Sequence, residues 1–453
     1  MASDIEVLVV GGGACGMAAA IAAHDEGATV AVIEKLDRPG GNSALSTGSV
    51  PAAGSKYQKA AGIVDDPERM VSDLTAISGG SDAPELLRRM AEVSATTVEW
   101  LIDGLGARMQ LITAYKHIGH SVPRLHAPIS RRGQDLVDDL MSFLQQRDIP
   151  IAVGNGARDL IVEDSAVAGV VLTDGSSIRA DKVVLAVNGY AGNRDLVMRF
   201  CPEIAGATYF GALGSTGEAV LWGESVGADL ANMAAYQGYA AVAHPHGSLL
   251  SWTTIEKGGL ILNDRAERFG DESTGYSGFA KTVLAQNGFC YAVFDQRIYD
   301  IASQEEEFAQ LAGFGGLKSA DDIQSLATIY ELDPSAAAFA FDTYNKAATG
   351  GGADPFGRTD FGLSPLSGKL YGCRVVPGLF HTQGGLKVGL NGEVLRPNGE
   401  PVRNLFAGGG AAAGISGRAG AKGYASGNGL LTAIALGRLA GIEAAQQVMS
   451  ARA

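Results

Sequence analysis

The stretch VLVVGGGACGMAAAIAAHDEGATVAVIEK, from Val7 to Lys35, decides the fold. A short apolar run leads into Gly11-x-Gly13-x-x-Gly16, an Ala-rich helical segment follows, and a second apolar run ends at Glu34. In such a strand–turn–helix–strand unit the first glycine makes the tight turn, the second lets the backbone approach a pyrophosphate, and the third lets the helix pack on the strand. The helix N-terminus favours phosphate, and Glu34 accepts hydrogen bonds from ribose hydroxyls. The pattern predicts a dinucleotide site.

Composition narrows the class of protein. With 453 residues, of which 46% are hydrophobic, the chain is long enough for two or three structural units. A net charge of −14 without a basic stripe argues against binding to nucleic acid or to an anionic membrane. The four cysteines are far apart and form no CxxC pair, so we expect reduced thiols and neither disulfides nor a structural zinc.

The sequence also gives no indication of a signal peptide, a membrane span or a metal site. The start, MASDIEV, lacks the basic region of a signal peptide, and no run of about twenty apolar residues occurs, so we expect a cytoplasmic protein without a membrane span. Residues 115–126 carry His117, His120 and His126, but no carboxylate cluster accompanies them. We therefore predict no metal site and place this loop at the edge of the functional site.

Loops of small residues follow several predicted strands. They lie at residues 38–48, 188–193, 404–410 and 426–429. Their exposed N–H groups suit a phosphate or a flat ring. Between them the pattern predicts helices at Pro67–Ser78, Pro84–Leu105 and Leu430–Met449, and a hairpin with its turn at Asp174-Gly175.

The motifs together resemble the fumarate reductase/succinate dehydrogenase flavoprotein family. The shared elements are GGGACG, GGNSALSTG, AHP at 243–245, RFGDE at 268–272, HTQGG at 381–385 and LFAGGG…SGNGLL. The resemblance implies FAD, held non-covalently because the loop 40–48 contains no histidine for a covalent link. The FAD contacts it implies are Gly11, Gly13, Ala14, Gly16, Glu34, Lys35, Gly41, Asn42, Ser43, Ser46, Thr47, Gly48, Ala157, Asn188, Gly189, Gly409, Asn428, Gly429, Leu430 and Leu431.

The predicted fold is α/β. We expect a Rossmann-like FAD-binding domain of the glutathione-reductase type, with an inserted α+β domain that caps it and binds substrate. The aromatic and acidic residues concentrate in the middle of the chain, and the glycine-rich segment 347–355 marks the exit of the insert. The predicted domains are 1–215 and 346–453 for the FAD-binding domain and 216–345 for the insert, with the substrate in the cleft between them.

The chain departs from the fumarate reductases where substrate is bound. The family carries an arginine that delivers a proton after its RF-x-x-E element and a second arginine that clamps a carboxylate, and this chain has Tyr276 and Tyr424 at those places. The family's substrate histidines correspond to His244 and His381. Without two guanidiniums a dicarboxylate is poorly neutralised, so fumarate or succinate is disfavoured as substrate.

Tyrosines at these places resemble the 3-ketosteroid dehydrogenases, a branch of the superfamily that desaturates cyclic ketones. The resemblance implies that Tyr276 is the catalytic base, that Tyr424 with Ser426 as relay is the alternative base or the carbonyl donor, and that Tyr371 is a carbonyl-binding residue. His381 and the N–H of Gly384 would complete the oxyanion site, His244 would touch substrate, and Arg418 would bind a substrate carboxylate if one is present.

Three functions remain open at this point. The first is an FAD-dependent dehydrogenase of a cyclic or steroid-like ketone, in which a Tyr takes the α-proton and the flavin takes the β-hydride. The second is a fumarate- or urocanate-type ene-reductase, and the third is a non-catalytic flavin-binding electron carrier. Because the sequence offers no haem or iron–sulfur motif, an external electron acceptor is expected.

Overall fold

The computed structural model describes residues 3–114, 116–286 and 288–452. Its strands are β1 (Ile5–Val10), β2 (Val30–Glu34), β3 (Val50–Pro51), β4 (Met109–Leu111), β5 (Leu125–Pro128), β6 (Ile151–Val153), β7 (Ala157–Glu163), β8 (Ala166–Leu172), β9 (Ser177–Leu185), β10 (Thr208–Tyr209), β11 (Leu230–Ala231), β12 (Ala234–Ala243), β13 (Leu260–Leu262), β14 (Cys290–Asp295), β15 (Lys318–Ala320), β16 (Leu370–Thr382), β17 (Gly385–Leu386), β18 (Glu393–Leu395), β19 (Pro401–Ala407) and β20 (Ala419–Gly420).

The α-helices are α1 (Ala14–Asp25), α2 (Gly41–Leu45), α3 (Lys56–Ala60), α4 (Pro67–Ser78), α5 (Pro84–Glu99), α6 (Gly133–Gln145), α7 (Arg194–Phe200), α8 (Glu218–Ser225), α9 (Thr253–Glu256), α10 (Gly275–Gly278), α11 (Ala280–Leu284), α12 (Gln296–Ala302), α13 (Glu306–Gly313), α14 (Ile323–Ile329), α15 (Pro334–Ala348) and α16 (Asn428–Arg452). Short helices of other types lie at Trp100–Leu105, Pro202–Ile204, Glu272–Thr274 and Gly409–Ala411.

The chain divides into two compact units. Unit 1 consists of Met1–Cys201, Gly211–Tyr236 and His381–Ala453, and unit 2 consists of Pro202–Phe210 and Gln237–Phe380. No helix in the described ranges has the length and apolarity that a membrane span requires.

A sheet with strand order β18-β19-β8-β9-β1-β2-β6 forms the centre of unit 1. β1 pairs in parallel with both β2 and β9, with Val7 opposite Val30 on one side and opposite Lys182 on the other. The last four residues of β1 are all buried, as expected for a central strand of a parallel sheet covered on both faces. The carboxyl ends of β1 and β2 therefore meet at one edge, where α/β folds bind nucleotides.

Small residues allow α1 and α16 to pack backbone against backbone in unit 1. A Cβ on Gly437 would lie 2.4 Å from the Cys15 carbonyl oxygen, and one on Gly441 would lie 2.2 Å from the Ala19 carbonyl oxygen. These approaches are shorter than any ordinary carbon–oxygen contact, so a side chain larger than hydrogen would separate the helices. The first and last helices of the fold are thereby held together.

In unit 2 the long strand β16 is paired with β14, β12, β10 and β15, and β13 joins at the free edge of β14. β14 runs antiparallel to β16, with Cys290 opposite Val375 and Asp295 opposite Leu370. A buried ion cluster lies beside the sheet: Glu272 accepts hydrogen bonds from Arg268 and Arg358, and Arg268 also pairs with Asp354.

The compact units differ from the predicted domain limits at both ends of the insert. Residues 211–236 belong to unit 1, where Glu218, the first residue of α8, pairs with Lys35 and β11 pairs with β17. The segment 347–355 stays inside unit 2, because Asp354 pairs with Arg268 in the buried cluster. Unit 2 ends at Phe380, two residues before the end of β16.

Candidate active site

The turn after β1 has the backbone geometry that a dinucleotide site requires. Gly11 has φ +110°, and a Cβ there would lie 2.3 Å from the Ala186 carbonyl oxygen. A Cβ on Gly16 would lie 1.9 Å from the Gly11 carbonyl oxygen, whereas a Cβ on Gly13 would meet nothing closer than 3.7 Å. Two glycines are thus required by packing, and Gly13 leaves an open approach.

The N-terminus of α1 is available to an anion. Its N-cap residue, Gly13, makes no side-chain cap hydrogen bond, and the first turn, which begins at Ala14, contains no acidic residue. The free N–H groups and the helix dipole there favour a phosphate. The Ser43 hydroxyl lies 3.3 Å from the Ala14 nitrogen, which brings the second glycine loop to this helix end.

Glu34 and Lys35 have different surroundings although they are neighbours. The Glu34 carboxylate accepts hydrogen bonds from the backbone nitrogens of Gly12 at 2.8 Å and Leu36 at 2.9 Å, which places it beside the glycine turn. The Lys35 ammonium instead donates to Thr216 Oγ1 at 2.6 Å and pairs with Glu218. The Lys35 charge is therefore neutralised by protein groups, and its contact with FAD stays a prediction.

The second glycine loop docks on the first. The Gly40 nitrogen donates to the Gly12 carbonyl at 2.9 Å. Gly41 has φ +53°, and a Cβ there would meet nothing within 4 Å. Ser46 Oγ donates to the Ser43 carbonyl at 2.7 Å and accepts from the Gly48 nitrogen at 3.0 Å, so these residues shape the loop.

Further predicted contact residues come to the same unit. Thr47 Oγ1 lies 2.9 Å from a neighbouring serine hydroxyl, and Asn42 accepts a hydrogen bond from the Ala212 nitrogen at 2.7 Å. Asn188, at φ 68°, accepts from the Gly189 nitrogen at 2.9 Å. Ala157 begins β7 directly after a glycine that packs on the Lys35 side chain, and Gly409, at φ +59°, lies over Cys15 in α1.

The start of α16 supplies an unsatisfied polar group. Asn428 is 1% exposed, and its Oδ1 has no hydrogen-bond partner among the residues that the structure describes. The buried Ser215 hydroxyl in the same unit is also without one in that part of the chain. Because buried polar groups are normally paired, such atoms point to a bound molecule. Gly429, Leu430 and Leu431 follow in the first turn of the helix.

His381 is a neutral imidazole. Burial lowers its pKa, and its Nδ1 lies 3.2 Å from the Thr382 carbonyl, which can only accept. The proton is therefore on Nδ1, and Nε2 is left as a hydrogen-bond acceptor. A Cβ on Gly429 would lie 3.6 Å from His381 Cε1, so this ring stands next to the start of α16. Gly384 is packed against Asn232 and Met233.

Tyr424 and Ser426 lie in the segment that leads into α16. The Ser426 nitrogen donates to the Ile118 carbonyl at 3.0 Å, and the Ser426 carbonyl accepts from His120 Nε2 at 2.8 Å. Arg418, in the preceding loop, pairs with Asp82 through Nε at 2.8 Å. Both side chains of this pair are exposed, and the carboxylate-binding role of Arg418 stays a prediction.

Tyr276 lies in an aromatic cluster of unit 2, which we call the aromatic quartet: Tyr239, Trp252, Tyr276 and Phe380. The ring centroids of Tyr276 and Tyr239 are 5.0 Å apart, and those of Tyr276 and Trp252 are 6.4 Å apart. Phe380 stacks on Tyr239 at 5.4 Å with an interplanar angle of 1°. Two rings thus contact the half-buried Tyr276 directly, and Phe380 joins the cluster through Tyr239.

Two predicted residues lie elsewhere in unit 2. Tyr371 stacks on Tyr299 at 4.3 Å and donates to Gln296 at 2.6 Å, and it is separated from Phe380 by nine positions along β16, or about 30 Å of strand. No contact between Tyr371 and the aromatic quartet is seen among the described residues, and its carbonyl-binding role stays a prediction.

His244 is likewise remote from the quartet. Its backbone nitrogen donates to the Arg374 carbonyl at 2.8 Å, six positions or about 20 Å along β16 from Phe380. Its exposed ring lies 4.6 Å from that of Phe289. The substrate contact that the AHP element implies for His244 stays a prediction.

Sequence reasoning missed Tyr239, Trp252 and Phe380, and it named His120 only as part of a loop at the edge of the functional site. Phe380 directly precedes His381, and Tyr239 lies in β12, so proximity to a recognised motif was the available signal. Nothing local in the sequence marks Trp252, because its ring contacts come from residues distant in the chain.

Unit 1 thus has the features of a dinucleotide-binding flavoprotein fold. These features are the glycine turn, the start of α1, the acidic residue that ends β2 and the unsatisfied Asn428 at the start of α16. The model of the FAD binding domain family matches residues 6–429, nearly the whole chain. The chain belongs to this family of fumarate reductase/succinate dehydrogenase flavoproteins, and it is an FAD-dependent oxidoreductase.

Two curated relatives are fumarate reductases by name. A probable fumarate reductase of Shewanella frigidimarina is 30% identical over 454 residues, covering 98% of this chain and 75% of the relative. An NADH:fumarate oxidoreductase of Klebsiella pneumoniae is 29% identical over 450 residues, covering 98% of this chain. The chain spans only 48% of that second relative.

Two solved structures that resemble this chain are enzymes with different activities. A flavocytochrome c3 fumarate reductase in an open conformation has a TM-score of 0.85 at 28% identity and covers 98% of this chain and 78% of its own. A 3-ketosteroid-Δ4-(5α)-dehydrogenase of Rhodococcus jostii RHA1, solved with 4-androstene-3,17-dione, has a TM-score of 0.77 at 25% identity and covers 98% of both chains. The likeness therefore extends to enzymes of both kinds.

Proposed function

We propose that the protein is an FAD-dependent α,β-desaturase of a cyclic, steroid-like ketone, in which Tyr276 takes the α-proton. The observation that carries the proposal is the aromatic quartet, in which Tyr276 has two aromatic neighbours within 6.4 Å. Aromatic walls suit an apolar ring system, and a phenol among them supplies one polar contact.

FAD, held by the contacts of unit 1 without a covalent bond, supplies the hydride acceptor when bound. The protein must supply the base. A phenol can serve as acid or base, whereas an arginine stays protonated at working pH. Tyr239 does not compete for this role: its hydroxyl donates to the Leu250 carbonyl at 2.9 Å, and burial raises its pKa. Tyr424, with Ser426 as relay, is the alternative base or the carbonyl donor.

The neutral state of His381 revises one part of the predicted oxyanion site. Its Nε2 accepts hydrogen bonds, so it cannot donate to an enolate oxygen unless it is protonated. Backbone N–H groups, including that of Gly384, are then the donors that this segment offers. His381 is suited instead to accept a hydrogen bond from a hydroxyl of substrate or of Tyr424.

Three arginines that already have carboxylate partners are less available to a dicarboxylate substrate. Arg268 and Arg358 are bound by the Glu272 carboxylate, and Arg418 is bound by Asp82. A guanidinium that is already paired with a carboxylate has little affinity left for a second one. A neutral ketone demands no such charge.

A second candidate is an ene-reductase that acts on an unsaturated carboxylic acid. The names of the curated relatives favour it, since several are fumarate reductases and another, from Eggerthella lenta, is a urocanate reductase. An electron carrier without a substrate is the candidate of another class. The external electron acceptor and a cytoplasmic location stay predictions.

Anaerobic titration of the FAD-loaded protein separates the three. In a desaturase, saturated cyclic ketones such as 3-ketosteroids reduce the flavin and bleach its absorbance. An ene-reductase, once reduced, is reoxidised by fumarate or urocanate. A carrier responds to neither. Bleaching that is absent with every ketone, together with rapid reoxidation by an enoate, would reject the desaturase proposal.

The role of Tyr276 is tested by Tyr276→Phe. We expect the rate of flavin reduction by ketone to fall about 10²- to 10⁴-fold, because a general base is lost while the ring packing is kept. Stopped-flow absorbance measures this rate, and FAD content should not change. Tyr299→Phe, a tyrosine of the same unit outside the aromatic quartet, is the matched control and should reduce at the native rate. A near-native rate for Tyr276→Phe would remove it from the mechanism.

A further inference from the structure

The loop at residues 116–126 carries histidines that the proposed chemistry does not use. His120 is 8% exposed, and its Nε2 lies 2.8 Å from the Ser426 carbonyl oxygen. A carbonyl can only accept, so Nε2 carries the proton. The other ring nitrogen, Nδ1, lies 3.4 Å from Arg124 Nη1, which can only donate. The two partners therefore require the same neutral tautomer.

Arg124 is held rigidly from the opposite side. It is fully buried, and its Nε and Nη2 donate to the two carboxylate oxygens of Asp65 at 2.7 and 2.8 Å. Nη1 pairs with Asp73 at 2.5 Å, and Asp73 also accepts from the Ser121 nitrogen at 2.9 Å. A two-point arginine–carboxylate pair has a fixed plane, so the nitrogen that faces His120 has a fixed position.

The same loop also contacts the segment 424–428 through its backbone. The Ile118 carbonyl accepts from the Ser426 nitrogen at 3.0 Å. Gly119 has φ +84°, and a Cβ there would lie 2.3 Å from the Ala425 Cβ. Ser426 is thus bonded through both its N–H and its carbonyl, two residues before α16 begins at Asn428.

We propose that His120 is a positioning residue, which fixes Tyr424 and the FAD-binding start of α16 by holding the Ser426 carbonyl. The part that concerns Tyr424 rests on the proposed function, and the part that concerns FAD does not. The chain of contacts runs from Asp65 and Asp73 through Arg124 to His120 and Ser426. Burial lowers the pKa of His120 to about 4, so the tautomer that these contacts need persists at neutral pH.

His126 provides a comparison within the same loop. It is also fully buried, and burial lowers its pKa to about 4. Its ring bonds to Ser55 Oγ at 3.1 Å and to the Arg124 carbonyl at 3.0 Å, instead of to Ser426. A merely structural role for His120 would make these two histidines equivalent.

The test uses the FAD-loaded variants His120→Leu, His120→Gln, His120→Asn and His126→Leu. Gln places its amide nitrogen near the position of Nε2 and should restore the bond, whereas Asn places it near Nδ1 and should not. We expect His120→Leu and His120→Asn to weaken FAD binding about tenfold, the effect of roughly one lost buried hydrogen bond, and to shift the absorbance spectrum of the bound flavin. His120→Gln should resemble the native protein in both readouts.

His126→Leu should lower the unfolding temperature but leave the FAD affinity and the flavin spectrum unchanged. Native FAD affinity and spectrum in His120→Asn, or equal changes in His126→Leu, would overturn the proposal. If His120→Leu fails to fold, the Gln–Asn contrast still decides. Both readouts are independent of substrate, so a failed ketone titration would reject the proposed function and leave this inference standing.

Discussion

The stability of the folded protein depends on whether its buried histidines are neutral or protonated. His120, His126 and His381 each lie inside unit 1, each has a pKa lowered by burial, and each has a ring nitrogen facing a carbonyl oxygen. Protonation of these rings would place a second N–H where an acceptor or an apolar contact now lies. The cost of that misplaced proton makes folding depend on pH.

The sign of this dependence follows from the pKa values of His120 and His126, about 4 in the folded protein and about 6.5 in the unfolded chain. Between these values the unfolded chain binds more protons, so stability is complete above pH 6.5 and is lost as the pH falls from 6.5 to 4. Each histidine contributes at most about 3 kcal/mol to this loss. Urea unfolding at pH 7 and pH 5 measures it.

The matched variant is His126→Gln, which removes one titrating group. Its free energy of unfolding should fall less steeply between the two pH values than that of the native protein. An equal loss of unfolding free energy in the variant and the native protein would show that His126 does not titrate in this range.

At the scale of elements, α1 and α16 connect the predicted nucleotide turn to the predicted flavin contacts at the other end of the chain. Both helices are rich in alanine and glycine, and the glycines of α16 fall where the α1 backbone is nearest. Any rise in their separation would move the N-termini of both helices.

Two glycine substitutions separate packing from helix propensity. In Gly441→Ala the new methyl group would lie 2.2 Å from the Ala19 carbonyl oxygen, and overpacking of this kind costs about 1–3 kcal/mol. In Gly313→Ala, within α13, the methyl group meets nothing within 4 Å, so the substitution should stabilise by about 0.5–1 kcal/mol. Chemical denaturation of both variants measures the difference, and a stabilised Gly441→Ala would contradict the close packing.

Local signals were enough to predict several elements. The helix predicted at Pro67–Ser78 has those limits in the structure, because Asp66 caps it through the Arg69 nitrogen, Pro67 occupies the first turn, and Gly79 ends it in the left-handed conformation. The glycine turn after β1 was also predicted from a local signal, the spacing Gly11-x-Gly13-x-x-Gly16. His244, Tyr371 and the aromatic quartet depended on strand register over long stretches of chain, which no local pattern specifies.

At the scale of the whole molecule, each unit has its own core and its own buried charges. The sequence predicted an insert between two parts of a nucleotide-binding domain, but the limits of the units follow pairings that composition does not show. Residues 211–236 are recruited to unit 1 by an ion pair and a strand pair, and residues 346–380 are recruited to unit 2 by β16 and by Asp354.

The buried ion cluster of unit 2 predicts that the nearly isosteric substitution Glu272→Gln lowers the stability of the protein strongly. Glu272 has no exposed side-chain surface, and Glu272→Gln would leave Arg268 and Arg358 short of a counter-charge, at a cost of about 3–5 kcal/mol. The control is Glu267→Gln, which breaks the exposed pair with Arg265 and should cost less than about 1 kcal/mol. Thermal unfolding compares the two, and equal stabilities would show that the buried cluster contributes no more than a surface pair.

The backbone contact between the first and last helices also bears on how the protein is made. The roughly 400 residues between them take on the order of half a minute to leave the ribosome, and during that time α1 has no α16 to cover it. The nascent chain must keep an alanine-rich surface from aggregating until α16 has been made. Stable loading of FAD then cannot precede the synthesis of α16, and chains that stop before α16 should be colourless.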